Sequence, residues 1–307
     1  VQSSSVSTAT VVGLVGSGLL SVDDAVPVIM GANIGTTVTS TLAALGHVRR
    51  PQEFRNAFAA ATVHDFFNVL TVLVMLPVEL TTKALSRSAK WLSEHLVGQG
   101  GATFASPLKK AVKAPSEAII EVVDGVASGT LLGVLLIVLA MATIFVALAF
   151  ITKNMRVLVA SRIERSVSEL LEKGGGLAAI VLGTVITIAV QSSSITTSVL
   201  VPLAAAGIIS TRNVYPVALG ANVGTTATAL LAAMAASRSE AVTIAIVHTL
   251  FNLAGILIFY PVPTLRAVPI RLAEGMAELA TKRRSVVLAY VVVLFLVVPA
   301  FGVLLLR

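Results

Sequence analysis

The chain has 307 residues, 56% of them hydrophobic and 12% charged, with a mean hydropathy of +0.95. Soluble domains carry charge on about a quarter of their residues, so this composition excludes that class and points to an integral membrane protein. The net charge of +7 comes from short basic segments between apolar runs, which argues against a nucleic-acid partner, and the absence of cysteine excludes disulfides, thiolate metal sites and cysteine nucleophiles.

A spanning helix needs ~20 apolar residues, and a re-entrant arm roughly half of that. Residues 1–18 open with Gln2-Ser3-Ser4-Ser5 and continue as one apolar arm, too short to cross. With neither an initiator Met nor a signal-peptide start at Val1, further residues are expected before it. A less apolar span follows over 25–46 and contains Gly31-Ala32-Asn33-Ile34-Gly35-Thr36-Thr37. Glycine and asparagine weaken helices, so this stretch is predicted to unwind near mid-membrane. The span over 56–80 carries His64-Asp65-Phe66-Phe67-Asn68. Residues 83–113, rich in Gly and Ser near 98–106, read as a partly ordered loop. Another span is predicted over 125–151, then an amphipathic surface helix over 156–173. Residues 176–190 and 195–207 form a helical hairpin with Gln191-Ser192-Ser193-Ser194 at its tip. Spans over 215–236, 241–261 and 285–306 complete the chain.

The polar blocks are duplicated. Residues 1–45 align without a gap on 190–234, with 22 of 45 pairs identical, and both the tetrad and the Gly-Ala-Asn block keep the same offset. A third correspondence pairs His64, Asp65 and Asn68 with His248, Thr249 and Asn252. Polar groups cost several kcal/mol when unpaired in lipid, and many secondary transporters are built by duplication around a polar centre. One repeat contributes two crossings and the span over 125–151 a third, an odd number that inverts the second copy. Arg49, Arg50, Arg55 and the basic segments 153–173 and 266–284 then share the cytoplasmic side. Asp23 and Asp24 match Arg212 and Asn213, as opposite sides require. The expected fold is an all-α integral membrane protein of two inverted-topology repeats, each with a re-entrant hairpin and a discontinuous helix. Its parts are repeat 1 (1–80), an extracellular loop (81–124), a linker span with cytoplasmic helix (125–173), repeat 2 (174–263), and a cytoplasmic segment with C-terminal span (264–307).

The tetrads supply neutral ligands. Hydroxyls donate to anion oxygens and accept toward Na+, and a helix starting at such a tip adds free N–H groups and a positive dipole end. Serines also serve close helix packing, but that does not account for a tetrad duplicated intact. Loosened carbonyls around Asn33 and Asn222, with the Thr36, Thr37, Thr225 and Thr226 hydroxyls, suit Na+ in broken helices. Gly31 and Gly35 alone would also fit a small-residue packing face. Asp65, inside a span, must be protonated or paired with a cation. His64 and His248 are either proton carriers or hydrogen-bonded anchors, with anchoring favoured.

Together these residues resemble the type II sodium-dependent phosphate cotransporters and their bacterial relatives. The resemblance covers both tetrads, both Gly-Ala-Asn blocks, residues 55–68, and Tyr260-Pro261-Val262-Pro263 running on to Arg271. It implies sodium-coupled symport of inorganic phosphate by alternating access, with no cofactor beyond Na+ as coupling ion and no enzymatic activity. Gln2, Ser3, Ser4, Ser5, Gln191, Ser192, Ser193 and Ser194 match phosphate ligands, Gln191 and Ser192 also sodium ligands, and Thr225 a sodium-ligand position. Asp65 matches the acid of electrogenic members. Asn33, Thr36 and Asn222 complete the expected sodium set. The absence of cysteines and N-glycosylation sequons points to a bacterial protein in the inner membrane, its partners being phosphate, sodium and the bilayer. Rival expectations are a phosphate exporter, another oxyanion such as arsenate, or an intramembrane serine hydrolase using Ser3, Ser4 or Ser5 with His64. The last lacks a G-x-S-x-G elbow and leaves the duplication unexplained.

Overall fold

The computed structural model describes residues 4–97, 107–125, 129–136, 138, 139, 142, 143, 146, 175–236 and 238–297. The helix expected over 156–173, about half of the span over 125–151, the end of the last span, and Gln2 and Ser3 lie outside the described residues. Regular structure among the described residues is entirely helical. Four segments are long and apolar enough to cross a membrane: Val22–Leu45, Pro51–Thr82, Thr211–Ala235 and Ser239–Phe259, with mean hydropathies of 1.4, 1.6, 1.5 and 2.1.

Helix α1 (Ser4–Ser17) leads through a turn at Gly18 into α2 (Val22–Ile34), capped by the Ser21 hydroxyl, which accepts from the Asp24 N–H at 3.2 Å. A 3-10 turn at Gly35–Thr37 separates α2 from α3 (Val38–Leu45). Helix α4 (Pro51–Thr82) starts on proline and stops at Lys83, whose φ of 53° ends the helical register. An ion pair between Lys83 and Asp23 ties the end of α4 to the start of α2.

The segment expected as a loop after α4 carries two helices, α5 (Ala84–Val97) and α6 (Pro107–Asp124). Leu85 and Ala89 bury against Ala241, Ile244 and Ala245, so an apolar stripe anchors α5 to the bundle. Its start is fixed by Glu79, whose buried carboxylate accepts from the Leu85 N–H at 2.7 Å, the Ser86 N–H at 3.2 Å and the Ser86 hydroxyl. That carboxylate sits at the positive end of a helix dipole, which favours the charge.

Helices α7 (Gly175–Val190) and α8 (Ser193–Ala205) form the expected hairpin. Between them Gln191 adopts φ 56° and Ser192 caps α8. Helix α9 (Thr211–Ala235) corrects one expectation: the second Gly-Ala-Asn block does not interrupt its helix, which runs on for 25 residues. The cause is packing. A Cβ on Gly220 would lie 1.9 Å from the Ile180 carbonyl oxygen, and one on Gly224 would lie 2.7 Å from that of Thr184. These glycines let α9 lie backbone to backbone on α7, and the contact holds the helix straight. Gly31 and Gly35 have no described atom within 4 Å of such a Cβ, and there the first copy turns 3-10.

Helix α10 (Ser239–Phe259) packs on α4 so closely that a Cβ on Gly255 would sit 2.7 Å from Thr71 Cγ2. Helix α11 (Pro263–Lys282) buries Ile270, Ala273, Ala277 and Ala280, and α12 (Ser285–Val292) buries Val287 and Tyr290.

Candidate anion and cation site

The two tetrads meet. The Ser5 hydroxyl in the first turn of α1 donates to the backbone carbonyl of Gln191 at 3.1 Å. The Ser194 hydroxyl in the first turn of α8 donates to the Thr36 carbonyl at 3.1 Å. The hairpin tip is thereby seated against both the start of α1 and the break between α2 and α3. The side chain of Gln191 is held by Thr228, whose hydroxyl donates to Oε1 at 2.7 Å, and donates through Nε2 to the Ile188 carbonyl at 2.6 Å.

Hydroxyls crowd the first turns of α8. Thr187 and Thr196 pair at 2.8 Å, as do Ser40 and Thr197. Ser4, Ser5, Ser193, Thr196 and Thr197 are buried, while Gln191, Ser192 and Ser194 are half-buried. At the N-terminus of α8, Ser192 takes the Ile195 N–H onto its hydroxyl at 3.4 Å, and the first-turn N–H groups point toward the tip. Among the described residues no Lys or Arg is buried, and no three His, Asp or Glu gather as a metal site. The positive character available to an anion is that of hydroxyls, amides and a helix end.

Asn33 and Asn222 are joined by His64, expected as either proton carrier or anchor, and by Asn68, marked only by its match to Asn252. His64 Nε2 donates to Asn222 Oδ1 at 2.5 Å, Asn222 Nδ2 to Asn68 Oδ1 at 2.6 Å, and Asn68 Nδ2 to the Asn33 carbonyl at 2.7 Å. Each donor points the same way along this chain, which runs from α4 through α9 and back to the broken helix. It ends on the Asn33 carbonyl, just before the 3-10 turn at Gly35–Thr37. His64 is therefore an anchor, and its Nε2 proton goes to Asn222 rather than to a serine. Among the described residues His64 makes no hydrogen bond to Ser4 or Ser5, against the hydrolase alternative.

The symmetry-matched set, His248, Asn33 and Asn252, is not so engaged. Asn33 Nδ2 donates to Ile29 of its own helix at 2.9 Å, and Asn252 Nδ2 to His248 of its own helix at 3.1 Å. Both ring nitrogens of the fully buried His248, and Asn252 Oδ1, have no hydrogen-bond partner among the described residues. Thr36 and Thr225 donate to the carbonyls of Ala32 and Ala221, each four residues back, at 2.9 and 3.0 Å, and keep oxygen lone pairs.

Asp65 is fully buried beside His64 on α4 and accepts a hydrogen bond from Tyr290 of α12. Tyr290 lies outside the duplicated sequence, so the internal comparison that exposed the other residues carries no signal for it. A cavity of about 260 Å³, lined by Arg55, Asn56, Ala204, Ser210, Thr211 and Glu274, lies where α4 and α9 begin and α8 ends.

A family model described as Na+/Pi-cotransporter matches residues 1–105 and 143–267. The chain is 34% identical over 370 residues to sodium-dependent phosphate transport protein 2A of Ovis aries, covering 98% of this chain and 58% of that protein. Similarity to protein 2B of Homo sapiens is 32% over 386 residues, covering 97% and 56%. For protein 2A of Rattus norvegicus the identity is 33% over 374 residues, covering 99% and 58%. The chain thus spans somewhat more than half the length of these relatives. No solved structure matches it.

Proposed function

Because the chain belongs to the Na+/Pi-cotransporter family, we propose that it carries inorganic phosphate together with sodium across a cell membrane by alternating access. The observation that supports this most is the junction of the two tetrads, where Ser5 bonds to Gln191 and Ser194 to Thr36 at the N-terminus of α8. Phosphate is held there by the hydroxyls and amides of residues 2–5 and 191–194 and by the first-turn N–H groups. With no buried Lys or Arg among the described residues, the countercharge comes from sodium bound with the anion. Neutral donors alone do not offset the desolvation of a dianion.

Sodium is held by carbonyls and hydroxyls around Asn33, Thr36, Asn222, Thr225, Gln191 and Ser192, and an additional ion by Asp65, which makes the cycle electrogenic. Asp65→Asn should then lower the charge moved per phosphate.

The two repeats are inverted, with the ends bearing Arg50 and Arg55 inside and the Asp23–Lys83 pair outside. Alternation is supported by the unequal state of two matched networks. His64, Asn222 and Asn68 are joined to Asn33, while His248 and Asn252, their mates, remain apart from Asn33. In the opposite state, His248 donates to Asn33, Asn33 to Asn252, and Asn252 to the Asn222 carbonyl. Helix α9 then breaks at 224–226 and α2 runs into α3. The host membrane is a bacterial inner membrane, consistent with a chain free of cysteines and sequons.

The test is uptake of labelled phosphate into proteoliposomes under an inward sodium gradient, with arsenate and sulfate as competitors. Uptake should be sodium-driven and inhibited by arsenate, whose tetrahedral oxyanion offers the same acceptors. Transport of sulfate with no transport of phosphate would overturn the assigned cargo.

A further inference from the structure

Two carboxylates are buried among the described residues, and they are satisfied differently. Glu79 is saturated locally by two backbone N–H groups and the hydroxyl of Ser86 at the start of α5. That arrangement caps a helix and leaves the acid no freedom. Asp65 receives the phenol of Tyr290, 225 residues away, at 2.5 Å. Tyr290 is itself held in place: its ring meets Phe58 edge-on at 5.9 Å between centroids and Phe66 at 6.1 Å. Phe58, Asp65 and Phe66 are seven and eight residues apart on α4, which puts them on one helical face, and α12 lies against that face.

The chemistry of the partner matters. A Lys or Arg would cancel the carboxylate charge and occupy the acid permanently. A phenol orients and stabilises a carboxylate through a short charge-assisted hydrogen bond while leaving its net negative charge intact. The acid therefore keeps its attraction for a cation. The second copy shows what happens without the acid: Thr249 donates to Ala245 of its own helix at 3.1 Å.

We propose that Tyr290 is a positioning residue for the coupling ion: its hydroxyl fixes the Asp65 carboxylate in the orientation in which it holds sodium. This rests on Asp65 being a sodium ligand in the transport cycle proposed above. A helix outside both repeats thus sets the sodium affinity of the asymmetric half. Carboxylates that bind metal ions are commonly held by outer hydrogen bonds, and loss of such a partner costs about 10- to 100-fold in ion affinity.

The experiment is a sodium titration of phosphate uptake in proteoliposomes for the wild type, Tyr290→Phe, Asp65→Asn and the double variant. Phenylalanine keeps the ring that packs on Phe58 and Phe66 and removes only the hydroxyl. Tyr290→Phe should raise the half-saturating sodium concentration by roughly tenfold or more, and should add no shift in the Asp65→Asn background. Fold damage would instead lower the maximal rate and leave half-saturation in place. An unshifted half-saturation, or the same shift with and without the Asp65 carboxylate, would overturn the role of Tyr290 while leaving sodium-coupled transport intact. Wild-type uptake indifferent to sodium would overturn the transport assignment itself, and this role with it.

Discussion

The Ser5 hydroxyl donates to the backbone carbonyl of Gln191 across 186 positions of chain, joining the two copies of one motif. Ser4 and Ser5 with Ser192, Ser193 and Ser194 gather hydroxyls at the start of α8, where unpaired polar groups would be costly in lipid. The chain has no cysteine, so a single introduced thiol reports on this point without background. Ser192→Cys should be inactivated for phosphate uptake by a small thiol reagent, and phosphate with sodium should slow that inactivation several-fold. Modification at the same rate with and without both ligands would contradict a binding site at the tip.

The glycines of the duplicated block play different parts in the two copies. Gly220→Ala must displace the Ile180 carbonyl, and overpacking of this kind costs about 1–3 kcal/mol. Gly31→Ala has open space among the described residues and exchanges a poor helix former for a good one. Thermal unfolding in detergent should show a clearly lowered midpoint for Gly220→Ala and little change for Gly31→Ala. Equal losses would contradict the packing account of why α9 stays straight.

Much of this asymmetry was hidden in a sequence whose two copies look alike. Periodicity, span length and the duplication located the hairpin over 175–205, the long helices α4, α9 and α10, and the first broken helix. The same helix-weakening glycines and asparagine in both copies predicted two breaks, because propensity is local and the backbone of α7, which meets Gly220 and Gly224, is not visible from those residues. The loop expected after α4 hid a helix held by Glu79, which caps it from six and seven residues upstream rather than from the N-cap position where a capping side chain is sought. Asn68 and His64 stood out by correspondence with Asn252 and His248, but their bonds to Asn33 and Asn222 are tertiary. Tyr290 lies beyond the repeats and had no internal copy to mark it.

The matched networks predict opposite responses from matched residues. Asn222→Ala removes the link from His64 to Asn68 and destabilises the observed state. Asn33→Ala leaves that link, since Asn68 bonds to a backbone carbonyl, and removes the side chain needed in the opposite state. With Asn56→Cys as a reporter in the cavity beside Arg55, Asn222→Ala should slow thiol labelling and Asn33→Ala should speed it. Changes in the same direction would contradict an exchange between two networks.

The central claim is that sodium supplies the charge that the hydroxyl-lined site lacks. Binding of labelled phosphate to the purified protein, measured over a range of sodium concentrations with choline keeping ionic strength constant, tests it most directly. Phosphate affinity should rise steeply with sodium and be nearly lost in choline alone. The same affinity in choline and in sodium would contradict the account.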